Sequence, residues 1–344
     1  MTTHSPTMQP EVPPQQVMLQ LISGFWISRA IYVVAKLGIP DLLVSSPKTS
    51  QELANATGTH AKSLQRIMRA LLSVGVFAEG PNRSFALNPI SETLRTNVPG
   101  SVRWFAISEL GEEHYPAWGE LMHSVKTGGI AFDKAFGMDI WEFFRVHPEN
   151  AELFNNSMST MTAMANEEIL KNYDFSSIER IVDVGGGHGG LITSILKANP
   201  GMRGILFDAE SVVSGAREKL DAAGLAQRCE TVAGNFFKSV PEGGDAYIMK
   251  WIIHDWDDER SKTILKNCRR VINSKGRLLI VDVVIPESNE PHFGKFIDLN
   301  MLVMTGGLER TEREFRQLLD ESGFKLTRVV PTQTPFSIIE SVPV

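Results

Sequence analysis

The order and texture of the sequence predict an α/β protein: a Rossmann-like domain on a mostly parallel seven-stranded sheet with its last strand antiparallel, preceded by a mainly α-helical winged-helix domain. Three observations carry this reading. From about residue 176 onward, short apolar runs alternate with amphipathic stretches, the pattern of strands and crossover helices. A glycine-rich segment, Asp183-Val184-Gly185-Gly186-Gly187-His188-Gly189-Gly190, lies between one such run and a helical stretch. Between residues 17 and 100, short helical periods close on a Gly80-Pro81-Asn82-Arg83 turn flanked by Phe77, Phe85 and Leu87, which makes a helix-turn-helix with a small wing.

Taken in order, residues 1–16 are rich in Pro, Thr and Gln and read as a disordered leader; without Lys or Arg they offer no basic signal-peptide region. Residues 17–34 read as an amphipathic helix with a wide apolar face, interrupted by Gln20, Ser23, Ser28 and Arg29, and so as a core or subunit-interface helix rather than a membrane span. Thr49 and Glu52 have the spacing of a capping box, and residues 61–73 place Leu64, Ile67, Met68, Leu71 and Leu72 on one helical face. A winged helix invites a DNA-binding reading. Residues 11–100, however, hold eight Lys and Arg against five Asp and Glu, too small an excess for a phosphate footprint even with Arg66 and Arg69 on the second helix. A structural or dimerising role is therefore expected of residues 17–100.

Residues 101–175 predict a helical connector rich in aromatics and methionine, and residues 176–344 the cofactor-binding domain. Strands are expected at 180–184, 204–208, 230–233, 246–251 and 277–284, with helices at 191–198, 211–223, 258–272 and 311–322. A closing pair at 325–330 and 336–341 has too short a link for a parallel crossover and is expected antiparallel.

Composition narrows the function. The net charge of −6 argues against nucleic acid as partner, and two cysteines make neither a disulfide framework nor a metal cluster, so a cytoplasmic protein without a metal is expected. Gly185-x-Gly187-x-x-Gly190 is the fingerprint of a nucleoside-bearing cofactor, and Asp208 ends the next strand where a ribose-binding acid is expected. Asp183, two residues before the first glycine, would repel a pyrophosphate but suits the ammonium and sulfonium of S-adenosylmethionine, which disfavours a dinucleotide oxidoreductase.

The segments Val182–Gly189, Leu206-Phe207-Asp208, Gly234-Asn235-Phe236-Phe237, Lys250-Trp251-Ile252-Ile253-His254-Asp255-Trp256 and Gly306-Gly307-Leu308-Glu309-Arg310-Thr311 closely resemble the caffeate-type O-methyltransferases of plants and bacteria. The resemblance covers nearly the whole chain and implies a class I methyltransferase domain with a dimerising winged-helix domain. It implies that Asp208 holds the ribose, Phe236 packs on the adenine and Lys250 lies near the sulfonium. Asn235 stands where the family carries Asp; its carbonyl can still accept a bond from the adenine amino group.

His254 follows the fourth strand of the sheet, at the edge where open α/β sheets bind ligands, and an imidazole there can take a proton from a hydroxyl. The resemblance offers two orienting carboxylates, Asp282 and Glu309, of which Glu309 is favoured because Asp282 is one methylene shorter than the usual Glu. Asp255, Asp257, Asp258 and Glu259 are expected to cap the next helix. Phe154, Met158 and Met161 at helical spacing, with Met301 and Met304 before Gly306, are candidates for the acceptor pocket or for core filling. The expected activity is methyl transfer to a hydroxyl of a small aromatic or polyketide-like molecule. N- or C-methylation, a non-methylating use of the cofactor and a ligand-sensing winged-helix regulator remain as alternatives.

Overall fold

The computed structural model describes residues 13–344; most of the expected leader lies outside them, and its last residues, from Pro14, already belong to a helix. The chain divides into two compact units, one ending at Glu112 and one spanning Glu113–Val344.

The first unit contains α1 (Pro14–Lys36), α2 (Ile39–Leu42), α3 (Ser50–Thr57), α4 (Ala61–Ser73), the antiparallel strands β1 (Ala78–Glu79) and β2 (Phe85–Ala86), α5 (Pro89–Glu92) and α6 (Arg103–Glu109). Thr49 caps α3 through the reciprocal box with Glu52. Leu64, Met68 and Leu71 of α4 are buried with Leu53, Phe77 and Val34, while Arg66 and Arg69 are exposed. The helix-turn-helix and wing thus follow the apolar pattern of the sequence, and α6 joins this unit rather than the helical connector. Only Val34 and Ala35 of α1 are buried, whereas Leu19, Leu21, Ile22 and Trp26 are between 58% and 70% exposed. By length and composition alone α1 is apolar enough to cross a membrane.

The second unit opens with five helices: α7 (His114–Gly119), α8 (Leu121–Thr127), α9 (Ala131–Phe136), α10 (Ile140–Val146) and the 25-residue α11 (Pro148–Asn172). There follow β3 (Arg180–Val184), α12 (Gly190–Ala198), β4 (Arg203–Asp208), α13 (Glu210–Ala222), β5 (Cys229–Ala233), β6 (Ala246–Lys250), α14 (Asp258–Val271), β7 (Arg277–Val283), α15 (Gly294–Met304), α16 (Glu312–Asp320), β8 (Phe324–Pro331) and β9 (Phe336–Pro343). The seven strands run in the order β5-β4-β3-β6-β7-β9-β8, and β9 alone runs antiparallel to the other six.

Successive residues of the strands point to opposite faces. Ile181, Ile248, Leu279 and Ile338 pack against Ile169, Leu191 and Ile195, whereas Val182, Tyr247, Ile280 and Ile339 pack against Ile264, Leu265, Phe315 and Leu318. Each such wholly buried side chain contributes on the order of 2 kcal/mol. Strand order reverses at β3, so the loop after β3 opens at a topological switch point, the place where doubly wound sheets bind ligands. The helix α15 carries no clear period, with Phe296 exposed and Val303 buried beside Leu302, and sequence pattern alone did not mark it.

Candidate active site

Asp183 and Asp282 are penultimate in β3 and β7, and Asp208 and Lys250 end β4 and β6, so parallel pairing gathers all four at one edge of the sheet. The glycine loop begins there. Gly185, Gly187 and Gly189 have φ of +70°, +57° and +78°, left-handed values that side-chain-bearing residues avoid. A Cβ on Gly185 would lie 2.4 Å from Ile252, whereas one on Gly187 would meet nothing within 4 Å; the loop is packed at its root and open at its tip. Asp208 holds that tip, Oδ2 accepting from the Gly187 amide at 2.8 Å and Oδ1 from that of Ala209 at 2.6 Å.

Asp183 is 1% exposed, and its Oδ2 has no hydrogen-bond partner. Burial pushes its carboxyl up to about 7, against the pull of Lys250 and with the help of Asp208. Burial likewise pushes Lys250 down to about 7, against Asp183 and Asp282. The Lys250 ammonium donates to Thr162 on α11 and lies 3.8 Å from the centre of the Trp251 ring. Trp251 itself has φ +58°, a strained backbone at the bend between β6 and the turn that carries His254. Phe236, whose ring lies close to where a Gly185 Cβ would stand, is held through its carbonyl by Asn267 Nδ2 at 2.8 Å. Asn235 is exposed, and its Oδ1 accepts from the Phe237 amide at 2.8 Å, which leaves its second lone pair available. A buried carboxylate with one unpartnered oxygen, an open glycine tip and an acid at the end of β4 fit the ammonium and ribose of a nucleoside-bearing cation.

His254 stands in a short turn (Ile253–Asp255) after β6. Its Nδ1 pairs with Glu309 Oε1 at 2.7 Å, and its Nε2 lies 3.7 Å from Asp255 Oδ1, beyond hydrogen-bond range. Glu309 is 2% exposed, and its amide donates to Asp298 Oδ1 of α15 at 2.8 Å. Asp282 makes no hydrogen bond to the imidazole: it is wholly buried with both oxygens unpartnered and acts on His254 through charge alone. Burial opposes the charged imidazole, but Glu309, Asp255 and Asp282 outweigh it and hold His254 up at about 10. The acids after His254 divide their work. Asp257 caps α14 through the Arg260 amide at 2.8 Å, and Asp258 binds Arg310, but Asp255 is half-buried beside His254 instead of capping because the turn points it inward. Among the described residues no group of three His, Cys, Asp or Glu side chains is placed to hold a metal ion.

Phe154 stacks on Phe144 with centroids 4.8 Å apart, and Met158 and Met161 follow it, half-buried, along α11. That face leads to Thr162 and Lys250. Met304 is packed in a buried cluster with Phe132, Ile140 and Phe143, while Met301 is 8% exposed one turn earlier. Sequence pattern did not single out Thr162, Asn267, Asp298 or Gly307 as site residues, since a tether between elements distant in the chain leaves no local period.

The fold thus places a glycine loop at the switch point and an imidazole–carboxylate pair one strand away. The chain belongs to the S-adenosylmethionine-dependent O-methyltransferase family: an O-methyltransferase domain matches residues 118–325, and an O-methyltransferase dimerisation domain residues 19–97. It is 44% identical to a phenazine O-methyltransferase of Lysobacter antibioticus over 97% of each chain. It is 33% identical, over 97% of each, to an 8-amino-8-demethylriboflavin N,N-dimethyltransferase of Streptomyces davaonensis. An O-methyltransferase from neocarzinostatin biosynthesis, solved with S-adenosylmethionine and 2-hydroxy-5-methyl naphthoic acid, superposes with a TM-score of 0.82 at 30% identity, covering 92% of this chain and 96% of that one.

Proposed function

We propose that this chain methylates a hydroxyl on a small aromatic or polyketide-like secondary metabolite, with His254 as general base. The observation that carries the proposal is the His254 Nδ1–Glu309 Oε1 pair at 2.7 Å, which leaves Nε2 as the nitrogen that meets an acceptor. Asp183, Gly185, Gly187, Asp208, Asn235, Phe236 and Lys250 would hold S-adenosylmethionine. When bound, this cofactor supplies an electrophilic methyl group on a sulfonium. The remaining work belongs to the chain. Nε2 takes the hydroxyl proton, Glu309 stabilises the imidazolium that results, and Phe154, Met158, Met161 and Met301 keep water from the reacting oxygen. Exclusion of water matters because the attacking oxyanion loses its charge as the bond forms. The riboflavin N,N-dimethyltransferase relative favours a second reading, an amine acceptor, for which the same base would remove a proton from nitrogen.

Calorimetric titration with S-adenosylhomocysteine and NADH, followed by methyl transfer to a hydroxyphenazine and an aminophenazine, tests the proposal. Binding of S-adenosylhomocysteine but not NADH, with transfer to oxygen that drops at least ~100-fold in His254→Ala, is the expected result. Transfer to the amine alone, or a variant as fast as wild type, would count against it.

A further inference from the structure

We infer that Arg310 is a positioning residue whose guanidinium locks the 306–311 loop onto the 252–256 turn and thereby fixes His254 against Glu309. Arg310 is 1% exposed. Its Nη1 donates to the Ile253 carbonyl at 3.2 Å and its Nη2 to the Trp256 carbonyl at 3.0 Å, so the fork grips the turn on either side of His254. Nε and Nη2 reach Asp258 Oδ1 at 3.1 and 2.8 Å, and Nη2 also reaches Ser261 Oγ at 3.3 Å, which anchors the fork to the start of α14. A planar five-donor group can satisfy this set, and a lysine ammonium cannot.

A second tie runs beside it. The Leu308 amide donates to the His254 carbonyl at 2.9 Å, and a Cβ on Gly307 would lie 2.0 Å from that carbonyl oxygen. The loop and the turn therefore form one body, and the residue between the two ties, Glu309, is the one that meets the imidazole. The inference deepens the proposed reading of His254, yet it concerns geometry and can fail on its own.

The groups facing His254 are Glu309 and Arg310 from the loop, Asp255 from its own turn, Asp282 from β7 and, behind Glu309, Asp298 from α15. This set separates three roles by the sign of one shift. Loss of a nearby positive charge alone would raise the His254 titration. Loss of the Glu309 pairing would lower it toward the ordinary imidazole range near 6.5. A purely structural arginine would leave it unchanged in any variant that folds.

The test is proton NMR titration of labelled histidines in full-length protein, with His254 assigned by its absence from His254→Gln, in Arg310→Lys and Asp258→Asn. Both variants are expected to lower the His254 midpoint, Arg310→Lys by at least one pH unit. Arg310→Lys should also cut kcat on the hydroxyphenazine 10- to 100-fold while S-adenosylhomocysteine affinity stays within about threefold. An unchanged or raised midpoint in folded Arg310→Lys overturns the inference. If that variant does not fold, an unchanged midpoint in Asp258→Asn does so. Should His254→Gln retain full turnover, the base assignment falls while the titration still decides the role of Arg310.

Discussion

Three carboxylates crowd one imidazole at His254, and the balance among them sets how the site responds to pH. With His254 held at about 10, most of the imidazole is protonated at neutral pH and the fraction able to accept a proton grows as pH rises. At low acceptor concentration, turnover should therefore rise with pH from about 6 toward 9, and Glu309→Gln should move the midpoint of that rise downward; a flat profile would contradict the arrangement. The same shift bears on stability. The folded protein holds this proton more tightly than the unfolded chain, whose histidine titrates near 6.5. The contribution is thus complete below about 6.5 and lost as pH climbs toward 10. The stability gap between wild type and His254→Gln, read from urea melts of the cofactor-free protein, should shrink across that window. At Gly307 the argument is steric: Gly307→Ala puts a methyl 2.0 Å from the His254 carbonyl oxygen and should cost on the order of 1–3 kcal/mol, with a larger proportional loss in kcat.

Among the elements, helix starts were legible and tethers were not. Asp257 and Thr311 both accept the amide of the third residue on, and Glu314 returns the bond to Thr311, so α14 and α16 begin where their polar residues say they should. Thr311→Ala should lower stability by about 1 kcal/mol in the same melts, without a change in cofactor affinity. The central strands β3, β6 and β7 could be read to within a residue because burial on both faces leaves continuous apolar runs. The glycine loop, Asp208 and His254 stand out in the sequence as chemical types out of place at the ends of such runs, whereas Glu309 is offered only by the resemblance to the O-methyltransferases. Thr162 on Lys250, Asn267 on the Phe236 carbonyl and Asp298 on the Glu309 amide were not, since each joins residues between 11 and 88 positions apart. Asp255 misled for a related reason: an acid just before a helix is ordinarily a cap, and only the turn geometry sends it inward.

At the scale of the molecule, the exposed face of α1 is the largest departure from what a lone folded chain would tolerate. Leu19, Leu21, Ile22, Phe25 and Trp26 are each at least half exposed, and all five fall within the matched dimerisation domain. Size-exclusion chromatography should show a dimer, and Leu21→Glu combined with Trp26→Glu should shift it toward a monomer; an unchanged elution volume would mean that another surface joins the subunits.

The ends of the parallel strands carry the residues proposed to cradle the cofactor and to act as base, whereas the side chains proposed to meet the acceptor hang from α11 and α15. A change at Met158 or Met301 can therefore alter which molecule is accepted without disturbing the sheet that holds the cofactor. Met158→Ala should change the KM for different ring systems unequally and leave S-adenosylhomocysteine affinity where it was. Such a chain keeps its verb in the strands and its object in the helices, so descendants can exchange the one and inherit the other intact.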